Sequence, residues 1–100
     1  MEISIKKQEN ELLVQLAGRL DTPASQDIAK DVESLVQLAD NTIIMDCSGL
    51  SYISSSGLRI FLTLRKAAAE KGGKIIVRNI SDAIRSVFMM TGFLNLFEIQ

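Results

Sequence analysis

The stretch TIIMDCSGLSYISSSGLRIFL, residues 42–62, passes from an apolar run through a polar segment into a second apolar pattern. Its first part, residues 42–47, is short, continuous and rich in β-branched residues, which reads as a central strand buried on both faces. Residues 48–56 read as a connecting loop. From 56 to 71 the spacing predicts a helix, with Leu58, Phe61, Leu62 and Leu64 early and Ala67-Ala68-Ala69 late. Gly72-Gly73 then stops it in the manner of a helix C-terminus. Strand, loop and helix in this order indicate an α/β fold.

On the N-terminal side, ISIKK (3–7) and ELLVQLA (11–17) flank the polar Gln8-Glu9-Asn10. Leu12, Val14 and Leu16 alternate with more polar neighbours, as in a hairpin with one buried face that ends at Gly18. Thr22 before Pro23 predicts a helix start, with a capping hydroxyl and then proline at the first helical position. Ala24, Ile28, Val32, Leu35, Val36 and Ala39 recur at helical spacing, giving one amphipathic helix of roughly four turns. Asp40-Asn41 ends it. KIIVRN (74–79) is a further buried strand. Ser81 caps a third helix carrying Ile84, Val87, Phe88 and Met89, Thr91-Gly92 breaks it, and LFEI (96–99) is the last strand. The expected order is ββαβαβαβ in one domain, residues 1–100. Its sheet is mixed but mostly parallel, with an antiparallel N-terminal hairpin and helices packed on it.

Composition removes several functions. Eleven basic and twelve acidic residues leave a net charge of -1, so no basic surface for nucleic acid or anionic membrane is expected. No apolar run reaches the roughly 20 residues that span a bilayer, and the N-terminus lacks the pattern of a signal peptide. The single cysteine, Cys47, is expected to be a buried free thiol in a reducing compartment, which points to the cytoplasm. There is no histidine, which excludes a Ser-His-Asp triad and leaves no metal site or cofactor to expect. The balanced charge and the lack of an apolar surface stripe point to a monomer. Gly72-Gly73 has no phosphate-loop pattern beside it. Met89-Met90 reads as core filler, and Asp21 reads as a turn-former. Asp46, at the end of a central strand, lies where ligands of parallel sheets gather.

Ser54, Ser55 and Ser56 then stand at a helix start. One of them serves as N-cap, satisfying an orphan N–H of the first turn. The helix N-terminus also attracts anions, so a second hydroxyl is a candidate phosphoryl acceptor or partner contact. Gly57 is expected to let a partner's backbone approach closely. A nucleophilic serine lacks both a G-x-S-x-G elbow and a base, so no enzyme is expected.

Over nearly all its length the chain resembles the anti-sigma factor antagonists, bacterial members of the STAS domains that also occur in sulphate transporters. AGRLDTPAS (17–25), IIMDCSGLSYISSSGLRIFL (43–62) and GGKIIVRNISDAIRSVFMMTGFLNLFEI (72–99) are similar to its second-strand ending, central signature and closing segment, in the right order and spacing. The resemblance implies a STAS fold and a cytoplasmic regulator that binds an anti-sigma factor with serine kinase activity, freeing the sigma factor. It implies phosphorylation at the start of the second long helix, reversed by a serine phosphatase. By position the modified residue is Ser55, with Ser54 and Ser56 as alternates. Ser56, Gly57 and Asp21 match motif positions, while Ser54 stands where well-studied members have aspartate. Leu58 and Arg59, in the first turn, are expected contacts, although Leu58 reads equally as core. The other role within this resemblance is a docking module, not phosphorylated, in a lipid-transport or stress-sensing complex.

Overall fold

The computed structural model describes residues 1–100. Glu2–Gln8 (β1) and Glu11–Leu20 (β2) form the expected antiparallel hairpin, Ile3 opposite Leu16 and Ile5 opposite Val14. Thr42–Ile53 (β3), Lys74–Arg78 (β4) and Glu98–Ile99 (β5) add to it in parallel, giving a five-stranded sheet in the order β1-β2-β3-β4-β5. The helices between them are Thr22–Asp27 (α1), Ala29–Gln37 (α2), Ser55–Lys71 (α3) and Asp82–Thr91 (α4), and a 3-10 turn spans Phe93–Asn95. This is the mixed, mostly parallel α/β sheet that the sequence indicates.

The strand order advances in one direction only, so right-handed crossovers place every helix on the same face. Leu12, Val14, Leu16, Ile43, Met45, Cys47, Ile75 and Val77 join the core on that face with Phe61, Leu64, Ile84 and Phe88. Ile44 and Ile76 are also buried but lie outside this core. They occupy the helix-free face, flanked by Glu98 and its ion pair with Lys74 at 2.8 Å. The apolar runs of β3 and β4 therefore do not have helices on both sides, and in-plane neighbours shield their second face. Phe61, Phe88, Phe93 and Phe97 close the core beside β5, with ring centroids 5.5–6.4 Å apart.

Five further expectations are corrected. Residues 48–53 are not a loop: β3 runs on to Ile53 along a β2 that itself continues past Gly18 to Leu20. Two register shifts, between Gln15 and Ala17 and between Gly18 and Arg19, each set an extra β3 residue against β2. Gly18 takes a φ of +106° between them, which favours glycine. The N-cap of α1 is Asp21 rather than Thr22, its carboxylate accepting from the Ala24 N–H at 3.0 Å. A charged acceptor makes the stronger cap bond.

The single long helix is divided at Ile28 (φ −98°, ψ 11°), yet Ile28 N–H still bonds Ala24 C=O and Val32 N–H still bonds Ile28 C=O. The inward face therefore keeps its phase. Met89 and Met90 are exposed, at 65% and 87%, because Ile84 and Phe88 set the inward face of α4 and the next two residues rotate away from it. The final strand is shortened to Glu98–Ile99 by the preceding 3-10 turn.

Candidate functional site

Parallel β2 and β3 end at one edge of the sheet, and α1 and α3 start there side by side. Three bonds join the two starts. Ser54 N–H donates to the Leu20 carbonyl at 2.9 Å, the Ser54 hydroxyl donates to the same oxygen at 3.0 Å, and the Ser56 and Thr22 hydroxyls meet at 3.4 Å. Ser54 is the N-cap of α3, its extended backbone presenting Oγ to the Gly57 N–H at 3.2 Å. A cap of this kind is worth about 1 kcal/mol over alanine.

The three hydroxyls are thereby distinguished. Ser54 is half-buried, with its proton given to Leu20 and a lone pair taken by Gly57. Ser56 is half-buried against Thr22. Ser55, the first residue of the helix, is exposed, and its hydroxyl makes no hydrogen bond within the chain. It stands at the positive end of a 17-residue helix. Aspartate and serine are both favoured N-caps, so Ser54 supplies the cap bond to the Gly57 N–H that an aspartate would, and adds the bond to the Leu20 carbonyl that a carboxylate cannot donate.

The other expected site residues fall on the same edge with different roles. Asp21 caps α1 and is half-buried, one residue before Thr22. Arg59 is exposed, and Leu58 is half-buried and packed against the core. Gly57 does not face outward. It is buried, and a Cβ there would come within 2.8 Å of both Leu20 Cγ and Ile53 Cγ1. Its missing side chain lets α3 approach β2 and β3, which is the physical reason for correcting the expected contact with a partner.

Two residues of this edge give no warning in the sequence. The second register shift sets Arg19 opposite Tyr52, and the guanidinium stacks 4.2 Å from the ring centroid, both side chains exposed. Nothing in a pattern of apolar positions announces a bulge that brings 19 and 52 together.

Asp46 stands lower on β3, not at its end. Burial alone would raise its carboxyl, but the Ser48 N–H at 3.0 Å, the Asn79 side-chain amide at 3.2 Å, and further bonds to Ser48 and Gln15 hold it below the usual range. These bonds tie β3 to the turn after β4, where Asn79 takes a φ of +61°. Cys47 is fully buried, and burial together with the neighbouring Asp46 charge pushes its thiol up to about 12. It is inert as a nucleophile.

Comparison with known proteins agrees with this geometry. The STAS domain profile matches residues 2–100. The chain is similar to a STAS-domain containing protein of Pseudomonas aeruginosa, 32% identical over 90% of this chain and 88% of that protein. It is also similar to the anti-sigma-B factor antagonist of Bacillus subtilis, 27% identical over 100% of this chain and 91% of that protein. Among solved structures, the phosphorylated form of the Bacillus cell fate determinant SpoIIAA shares the fold, with a TM-score of 0.76 at 23% identity over 99% of this chain and 91% of that one. The match over nearly the whole sequence and the shared fold lead to one conclusion: the chain belongs to the STAS domain family.

Proposed function

We propose that this chain is an anti-sigma factor antagonist: it binds an anti-sigma factor that is also a serine kinase, and phosphorylation of Ser55 switches it off. The observation that carries this reading is the division of labour among the three hydroxyls. One caps, one packs, and Ser55 alone is exposed and unbonded at the helix start. Two of the relatives named above support the setting, one named an anti-sigma-B factor antagonist and the other solved in a phosphorylated form.

In this mechanism the kinase transfers the γ-phosphoryl group of ATP to Ser55 Oγ, leaving ADP and releasing the hydroxyl proton. The product carries about −1.5 to −2 charge. A charge of that size at the centre of a packed contact made by Leu58, Arg59 and the α1 start costs several kcal/mol in desolvation, more than the neighbouring Arg59 returns. The helix end itself tolerates it, so the switch acts on the interface and leaves the fold intact. A serine phosphatase hydrolyses the ester and restores binding. The partners place this work in the bacterial cytoplasm, and the chain needs no cofactor or catalysis of its own.

The test uses an immobilised anti-sigma factor kinase. The unmodified chain is expected to be captured without ATP and lost after incubation with it. Failure to capture the unmodified chain, or retention of the phosphorylated one, contradicts the proposal.

A further inference from the structure

The sheet has two edges of unequal character. β5 is two residues long, a short edge of the kind that resists pairing. β1 is seven residues long, EISIKKQ, with no proline and no strand beyond it. Such an edge presents unpaired N–H and C=O groups as a template for another strand.

Which groups are free follows from the hairpin. Gln8 and Glu11 flank its two-residue turn, so that pair exchanges hydrogen bonds, and bonded pairs alternate from there. Lys6, Ser4 and Glu2 therefore turn their backbone groups toward β2. Ile3 and Ile5 turn theirs outward. An antiparallel second copy must bond outward residues to outward residues, which limits the register to a few choices.

We infer that β1 pairs with β1 of a second copy about a two-fold axis at Ser4. In that register Ile3 meets Ile5 of the other copy, and the two symmetric pairs exchange hydrogen bonds. Glu2 meets Lys6 of the other copy twice, so opposite charges lie directly across from each other. Shifting the axis to Ile5 would set Lys6 against Ser4 and Ile3 against Lys7, losing both matches.

The faces agree as well. Ile3 and Ile5 stand on the helix side, in register with the buried Leu16 and Val14. Ile5 is left 36% exposed in the single copy, and pairing extends the apolar face over it. Lysine on an edge strand ordinarily guards against association, but in this register Lys6 has its counter-charge built in. The contact is isologous and closes at a dimer. β2 separates β1 from β3, so both Ser55 ends remain free. The pairing is independent of the switch at Ser55 and departs from the monomer that composition suggests.

The test is light scattering or sedimentation of the full chain over a wide range of concentration. The wild type is expected to pass from monomer to dimer mass. Glu2→Lys and Lys6→Glu singly place like charges opposite one another and are expected to weaken the dimer about tenfold. The double reversal is expected to restore it, with circular dichroism checking each fold. In the wild type, amide exchange at Ile3 and Ile5 is expected to slow as the dimer forms. A mass that stays monomeric, an assembly larger than a dimer, singles that associate like the wild type, a double that stays weak, or unprotected Ile3 and Ile5 amides overturns the inference.

Discussion

Ser55→Asp is expected to weaken capture by the anti-sigma factor at least about tenfold, a loss of about 1.4 kcal/mol, while leaving the fold as stable as before or slightly more so. The two halves have different physical causes. At the interface, one carboxylate placed among Leu58, Arg59 and the α1 start must be desolvated when the partner packs over it, a cost that the neighbouring Arg59 offsets only in part. Within the chain, the same carboxylate sits at the first position of α3, where the helix dipole favours an anion by about 0.3–1 kcal/mol. Phosphoserine carries nearly twice the charge, so the substitution sets a lower bound on the effect. Binding and a thermal melt on the same sample separate the causes. Lost binding with an intact melt is the expected pattern, and undiminished binding would remove Ser55 from the contact.

Gly73→Ala is expected to be the most damaging single methyl in the molecule, costing about 3 kcal/mol or more. Gly73 links α3 to β4 where the end of α2 turns into β3. A Cβ there would run into the Ala39 carbonyl oxygen and come within 2.5 Å of the Asn41 carbonyl oxygen. Both are backbone atoms. Ala39 is fully buried, and the Asn41 oxygen accepts from Lys74 N–H at 3.3 Å, so neither can yield without disturbing the β3–β4 register. The adjacent Gly72 makes a useful comparison. Its space is open, but its φ of +81° is left-handed, so alanine there costs only about 1 kcal/mol. Urea unfolding of the two variants should differ widely, and equal midpoints would contradict this account of the junction.

The central strand, the third helix start and the family signature were legible because each rests on local chemistry. β-branched runs favour strands, Ser81 caps its helix through the Ile84 N–H, and glycine ends α3 and α4 with positive φ. What was not legible depends on partners distant in sequence. Residues 48–53 look like a loop because Leu50 and Ile53 are buried three apart, not two. Only pairing with Ala17–Leu20 through register shifts makes them strand. Thr22 looks like a cap until Asp21, one residue earlier, takes the Ala24 N–H.

The site follows the same rule. Three adjacent serines are equivalent as letters, and their roles differ only because the Leu20 carbonyl and the Thr22 hydroxyl, more than 30 residues away, each engage one of them. Gly57 invited an outward reading for the same reason. The residues that fill the space beside it, Leu20 and Ile53, come from two other elements.

The most direct test of the central claim is to map the phosphoryl group. The chain is incubated with its anti-sigma factor kinase and ATP, and the product is fragmented in a mass spectrometer. One phosphoryl group on Ser55 is expected, with none taken up by Ser55→Ala. A group on Ser54 or Ser56, or full uptake by Ser55→Ala, would contradict it.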